Sequence, residues 1–198
     1  GLRMNQESLH RQGAGYVGKH AADFMFTSDK WFRGIELSYA PDGSVYVLDW
    51  SDIGECHDND GIHRTSGRIY RISYGKTEAS KVDLTKWSNE NLAESVGSPN
   101  EWYSRQARQL IQQRAAAGQD LTKAALKLMN TYRLTSSTAT ALRAMWTLNA
   151  IGSADEDWLL EQSNDEREHI RTWAIKLLCD QETLSKKTQK RFIEMGGQ

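Results

Sequence analysis

The spacing of apolar positions changes once along the chain, near Lys81. Before that point apolar and polar residues alternate in short runs; after it, apolar residues recur every three or four positions. The clearest alternation runs through 31–74. Ile35, Leu37 and Tyr39 interleave with Glu36, Ser38 and Ala40, which predicts a strand. Pro41-Asp42-Gly43 supplies a turn: proline presets φ, aspartate bonds back to the chain, and glycine accepts a positive φ. Val45 and Val47 then interleave with Tyr46, Leu48 and Trp50, so the chain returns as a second strand. A third is predicted over 68–74, with Tyr70, Ile72 and Tyr74 on one face. Upstream, 3–11 and 15–21 are weaker strand candidates around Gln12-Gly13-Ala14-Gly15, and Phe24-Met25-Phe26 forms a short apolar knot. Five short strands with glycine-rich turns predict a β-meander. An open meander of this size leaves a raw edge. It is therefore expected to join a radial or closed assembly, or to be capped by helices.

Ala, Leu, Gln, Lys and Arg dominate the second half, a helix-forming composition. Ala107-x-x-Leu110, Met145-x-x-Leu148 and Ala174-x-x-Leu177 take like places in three helices, each preceded by a shorter one. The predicted pairs are 89–96 with 101–117, 121–132 with 136–151, and 155–162 with 166–179, followed by a last helix over 183–195. Asp120, Ser136 and Asp155 are expected N-caps, and Gly118 and Gly152 expected stops. Each pair exposes an apolar stripe that only a neighbour can cover, so the pairs must stack. The predicted class is α+β: an antiparallel β-meander, propeller-blade-like, over 1–80, a short polar linker within it at 76–80, then an all-α HEAT-like helical-repeat solenoid over 81–198.

Composition narrows the partners. Charged residues make up 26 % of the 198 and the formal net charge is −1, so no basic surface argues for nucleic acid. No run reaches the apolar length of a membrane span, and none resembles a signal peptide. The chain opens Gly1-Leu2-Arg3-Met4 in mid-strand style, as expected of an excised segment. Cys56 and Cys179 lie far apart in unlike segments, so no disulfide is expected and the compartment is left open.

Candidate chemistry concentrates in one acidic stretch, 49–63. Asp49, Asp52, Glu55, Asp58 and Asp60 crowd together there without a lysine. Such a stretch is either a solvated loop held by Arg64 and Arg68, or a site for a hard divalent cation such as Ca²⁺. The expected ligands are drawn from Asp52, Glu55, Asp58 and Asp60 with backbone carbonyls. Asp58-Asn59-Asp60-Gly61 is similar to part of an EF-hand loop, but the register fails: counted from Cys56, the twelfth residue is Gly67 rather than a glutamate. Cys56-His57 is half of a covalent haem motif, with Ile53 where the first cysteine belongs, so no haem is expected in this chain. Cys56, His57 and His63 also sketch a zinc or copper site, and Cys56 with His63 a nucleophile and base; adjacent residues pointing apart and the lack of a third orienting group weigh against both. Trp146, Trp158 and Trp173 are expected in the helical core, and Trp102 and Tyr103 as a seal on the first pair. The Lys186-Lys187 and Lys190-Arg191 pairs read as a solvated face. His10, His20 and His169 carry no partner pattern.

Trp-Phe-Arg-Gly-Ile at 31–35, the run 40–50, Gly-Glu-Cys-His-Asp at 54–58 and 63–72 together resemble one long signature. It is similar to that of large bacterial membrane-bound dehydrogenases. In that family a β-propeller related to PQQ-dependent glucose and sorbosone dehydrogenases precedes HEAT-type repeats and a c-type cytochrome domain. The resemblance implies that this chain holds the last propeller blade, to about Gly75, and the first helical repeats. The runs 142–148 and 170–175 extend it less specifically. It further implies an extracytoplasmic, periplasmic setting, with the remaining blades and the cytochrome domain as partners.

In the PQQ glucose dehydrogenases, the strand before the Pro-Asp-Gly turn carries an Arg-x-Arg that holds cofactor carboxylates. Here it reads Trp31-Phe32-Arg33. Arg33 matches and suits a carboxylate, while Trp31 replaces the first arginine and suits stacking on a planar quinone. Arg33 is equally suited to pair with an acid of a neighbouring blade. The implied parent oxidises a sugar or polyol, and the fragment alone is expected to be inactive. The competing expectation is a non-enzymatic scaffold that binds glycan or protein. Self-association through strand edges is expected of the isolated chain.

Overall fold

A computed structural model of the chain describes residues 2–51, 65–76, 80–180 and 183–197. The chain divides into two compact units, Gly1–Ser80 and Lys81–Gln198. The first is built of strands and the second of helices, so the fold is mixed α+β.

Among the described residues of the first unit, seven strands form three small antiparallel sheets. β1 (Arg3–Met4) pairs with β4 (Met25–Phe26), and β2 (Glu7–Gln12) pairs with β3 (Gly15–His20). The third sheet runs β5 (Gly34–Tyr39), β6 (Val45–Asp49), β7 (Arg68–Ile72) in spatial order. The expected single five-stranded meander is thus corrected to a three-stranded one beside two separate ribbons. The reason is side-chain pattern. β2 has one apolar side chain, Leu9, and β3 has only the adjacent Tyr16 and Val17, so neither presents an alternating apolar face to commit to a common sheet. The apolar knot at 24–26 is largely β4, and Tyr74 lies fully exposed beyond the end of β7.

On one face of the meander Val47 stands opposite Leu37 and Tyr70, and Val45 opposite Tyr39 and Ile72. Val47 is buried, and the Phe32 ring packs over the same face, its centroid 6.1 Å from that of Tyr70. Gly34 makes this possible: a Cβ there would lie 3.1 Å from the Phe32 ring. The pairing slips by one residue between Gly34 and Glu36, which bulges Ile35 out of the ladder. Ile35, Leu37 and Ile69 remain exposed at 62 %, 57 % and 70 %.

Helices α1 (Asn89–Ser95), α2 (Glu101–Ala116), α3 (Thr122–Leu134), α4 (Thr138–Ala150), α5 (Glu156–Gln162), α6 (Glu168–Cys179) and α7 (Lys186–Gly196) make the second unit. Consecutive members pack as the pairs α1–α2, α3–α4 and α5–α6. Arg114 near the end of α2 donates to Trp87 and Asn89 at the start of α1, and Ser104 Oγ donates to the Val96 carbonyl at its end, so that pair is antiparallel. α1 and α3 lie side by side in parallel, Asn89 donating to the Asp120 carbonyl at their starts and Lys127 meeting Glu94 at 2.7 Å further along, while Tyr132 near the end of α3 meets Gln162 of α5 at 2.6 Å. α2, α4 and α6 form the second layer. Between the layers sit Leu92, Ala107, Ile111, Leu128, Ala144, Leu148, Ala174 and Leu178, all nearly water-free. Each large side chain so buried contributes about 1.5–3 kcal/mol.

Helix ends follow local chemistry. Gly118 and Gly152, at φ +72° and +71°, terminate α2 and α4. Ser88, Asn100, Ser137, Asp155 and Ser185 cap their helices through side-chain oxygens. Ser137 thus takes the place expected of Ser136. Asp120 accepts from Thr122 N–H at 2.9 Å without being the cap residue itself. Among the described residues no helix is long and apolar enough to cross a membrane.

Candidate functional site

The best-built polar cluster of the strand unit lies at the end of β6. Val45, Val47 and Asp49 alternate onto one face, so strand geometry carries Asp49 inward beside the buried Val47. Its side chain is fully buried. Oδ1 accepts from the backbone N–H of Arg33 at 2.7 Å and of Ser51 at 2.9 Å. Oδ2 accepts from Arg68 Nε at 3.0 Å, with Arg68 Nη2 2.8 Å away. Arg68 is the residue directly across the ladder from Asp49. The same guanidinium reaches Asp29 through Nη1 and Ser51 Oγ at 3.3 Å through Nη2, and lies over the Tyr70 ring.

Asp29 organises the other side of the cluster. It accepts from Trp31 N–H at 2.9 Å, and its own carbonyl accepts from Phe32 N–H. The Trp31 N–H, with the Arg68 guanidinium beside it, holds the Asp29 carboxyl below its usual range. Trp50 N–H donates to the Arg33 carbonyl, and Ser66 Oγ donates to the Ser51 carbonyl at 3.2 Å. Ser51 sits at φ +54°, an unusual conformation for a serine, and its N–H bond to Asp49 holds it there. One arginine between two carboxylates therefore ties 29–33, 49–51 and 66–68 together.

The residues singled out from the sequence fall unevenly around this cluster. Trp31 and Arg33 flank it, both half-buried. Arg33 Nη1 donates to the carbonyls of Lys30 and Phe32 at 3.0 and 2.9 Å. Both bonds come from Nη1, one of the three nitrogens of the guanidinium. Asp52, Glu55, Asp58 and Asp60 lie outside the described residues, as do Cys56, His57, His63 and Arg64. Among the described residues no three His, Cys, Asp or Glu side chains gather as a metal site requires. Asp49 and Arg68 were grouped with the acidic loop. Inside the sheet Asp49 is instead paired with Arg68 across the ladder. The signal for this was the parity of Val45, Val47 and Asp49.

A second polar cluster lies in the helical unit. Tyr132 Oη donates to Gln162 Oε1 at 2.6 Å and meets Asp165 Oδ2 at 3.2 Å, and Arg167 forks onto Asp165 at 2.9 and 2.8 Å. The Arg167 bond holds the Asp165 carboxyl low, and burial lifts the Tyr132 hydroxyl above its usual range. Every member is satisfied, which suits a joint between α3 and α5. Cys179 is exposed and free. Trp146, Trp158 and Trp173, expected in the core, are half-buried at its margin.

The profile of a family described as "Domain of unknown function (DUF7133)" matches residues 4–76. The match thus spans the strand unit and none of the helices. No curated protein and no solved structure matches the chain.

Proposed function

We propose that the chain is part of a larger β-propeller dehydrogenase: the strand unit contributes a blade, and the helices begin a HEAT-like solenoid used for packing and interaction. The supporting observation is the apolar surface left on the outer strands of the meander. Ile35, Leu37 and Ile69 sit exposed on strands whose outer edges are unpaired among the described residues, where further strands of an assembly would cover them. The parent reaction is oxidation of a sugar or polyol in an extracytoplasmic compartment, with electrons passed to a haem domain elsewhere in the parent. These residues alone carry no turnover, because one blade does not enclose a channel site. The test is recovery of the native protein from source cells with an antibody against this chain. The expected result is a longer polypeptide whose peptides include Cys-x-x-Cys-His and which reduces a dye when given aldoses or polyols. A native polypeptide without the haem motif and without dye reduction overturns the reading and leaves a non-enzymatic scaffold.

The acidic run after Ser51 is proposed to take Ca²⁺ through Asp52, Glu55, Asp58 and Asp60. Support comes from the charge count once Asp49 and Arg68 have cancelled: four carboxylates remain in 52–64, against Arg64 as the one Lys or Arg. Ca²⁺ is expected to raise the melting temperature, by about 2.7 kcal/mol of stability at a hundredfold excess over Kd. EDTA is expected to reverse it, and Asp58→Asn with Asp60→Asn to abolish the difference. Superimposable melting curves with Ca²⁺ and EDTA refute it.

A further inference from the structure

The α2–α4 surface of the helical unit holds donors without acceptors. Arg108 lies with its Cζ 5.7 Å from the centre of the Trp146 ring. Its Nε and the Trp146 indole Nε1 are both buried, and both lack a hydrogen-bond partner among the described residues. Buried donors are nearly always satisfied in folded proteins, so two on one surface leave room for an acceptor that the described residues do not supply. Both residues line a cavity of about 310 Å³ whose walls also include Arg105, Gln109 and Gln112. Arg105, Arg108, Gln109 and Gln112 follow three-and-four spacing and so share one face of α2.

Among the described residues Arg108 makes no ion pair. The α2 carboxylate, Glu101, is bound by Arg143 and lies 3.6 Å from Arg105, and α4 has no carboxylate in its sequence. The positive strip continues onto α6: the Trp173 ring meets Trp146 edge-on at 4.8 Å and carries the Lys176 ammonium 4.5 Å above it. Desolvation pulls the Arg108 guanidinium below its ordinary value, and the Arg105 charge adds to this. An arriving negative charge relieves both effects.

We infer that this groove binds an extended acidic peptide segment of a partner polypeptide, one of its carboxylates lying on the Arg108 fork. The planar guanidinium matches a carboxylate, and the indole N–H adds a donor beside it. The Gln109 and Gln112 amides both donate and accept, which suits a peptide backbone running along α2. A small anion would engage the arginine and leave those amides unused. A nucleic acid needs a wider basic surface than one groove supplies. The inference is independent of the propeller reading, since it uses helical residues only.

The experiment is fluorescence polarisation with the full chain and a fluorescein-labelled, end-blocked peptide of alternating Glu and Gly. A peptide with Gln in place of Glu is the neutral control. Saturable binding of the acidic peptide is expected, with the neutral one at least about tenfold weaker. Arg108→Gln is expected to weaken binding about tenfold or more and Arg108→Lys to fall between, both with unchanged circular dichroism. Lys187→Gln, on α7, is expected to stay within about twofold of wild type. Equal binding of the two peptides, no saturation, or no effect of Arg108→Gln overturns the inference. So does an equal loss in Lys187→Gln, which marks diffuse charge attraction. Displacement by phosphate beyond that by chloride of equal ionic strength shows a small-anion site instead, and overturns it too.

Discussion

Asp49→Asn tests the cluster at the end of β6 with the least change in shape. Asparagine keeps an oxygen where Oδ1 accepts from Arg33 and Ser51 N–H. It puts an NH₂ group where Oδ2 faced two donors of Arg68, so a buried attraction becomes a donor–donor clash. Breaking a buried ion pair from one side costs about 3–5 kcal/mol. Arg68 is 36 % exposed and keeps Asp29, which relieves part of that, so about 2–3 kcal/mol is expected. Asp49→Ala removes the Oδ1 acceptor as well and strands two backbone N–H groups, adding about 1–3 kcal/mol. Against a total of about 5–15 kcal/mol for a small domain, the alanine variant brings the strand unit close to unfolding. Urea unfolding of the intact chain, with hydrogen exchange followed on peptides containing Arg33 and Ser51, reads the effect where it arises. The order expected is wild type, Asn, then Ala, with exchange rising at those two amides first. If Asp49→Asn shifts stability by less than about 0.5 kcal/mol, the cluster is only a surface ion pair and the reasoning fails.

Two further outcomes follow from other groups. Arg108→Leu is expected to stabilise the free chain, since it removes a partly buried guanidinium that lacks an ion-pair partner among the described residues: about 1 kcal/mol, or roughly 2–4 °C in Tm; a lower Tm contradicts this. Asp29 has its folded pKa held below the ordinary 3.8 by Trp31 N–H and Arg68, so its contribution is present above that value and lost as pH falls through the folded one. Exchange at Trp31 N–H should accelerate, relative to helix amides, as pH falls below 3.8, and Asp29→Asn should flatten that dependence.

The meander and helices were legible where the apolar pattern is regular. The 35–39 and 45–50 alternation predicts β5 and β6, and Asp155, Gly118 and Gly152 mark helix ends that the structure reproduces. Ser136 and Ser137 offer the same hydroxyl in neighbouring positions, so composition alone does not choose between them. The upstream ribbons were misjoined because β2 and β3 lack alternating apolar positions, leaving nothing in the sequence to fix which sheet they enter. Asp49 was misplaced for a different reason. In a run of acids it looks like loop, and only Arg68, across the ladder, makes its burial tolerable. Arg108 and Trp146 were hidden because an unmet donor is a property of packing, not of spacing.

The claim that the strand unit is completed by further strands is tested most directly by sedimentation velocity of the intact chain over a wide concentration range. Exposed edges bearing Leu37 and Ile69 predict concentration-dependent association at micromolar levels, abolished when both are changed to lysine without loss of the helical circular dichroism signal. A single monomeric boundary at every concentration, unchanged by those substitutions, contradicts it.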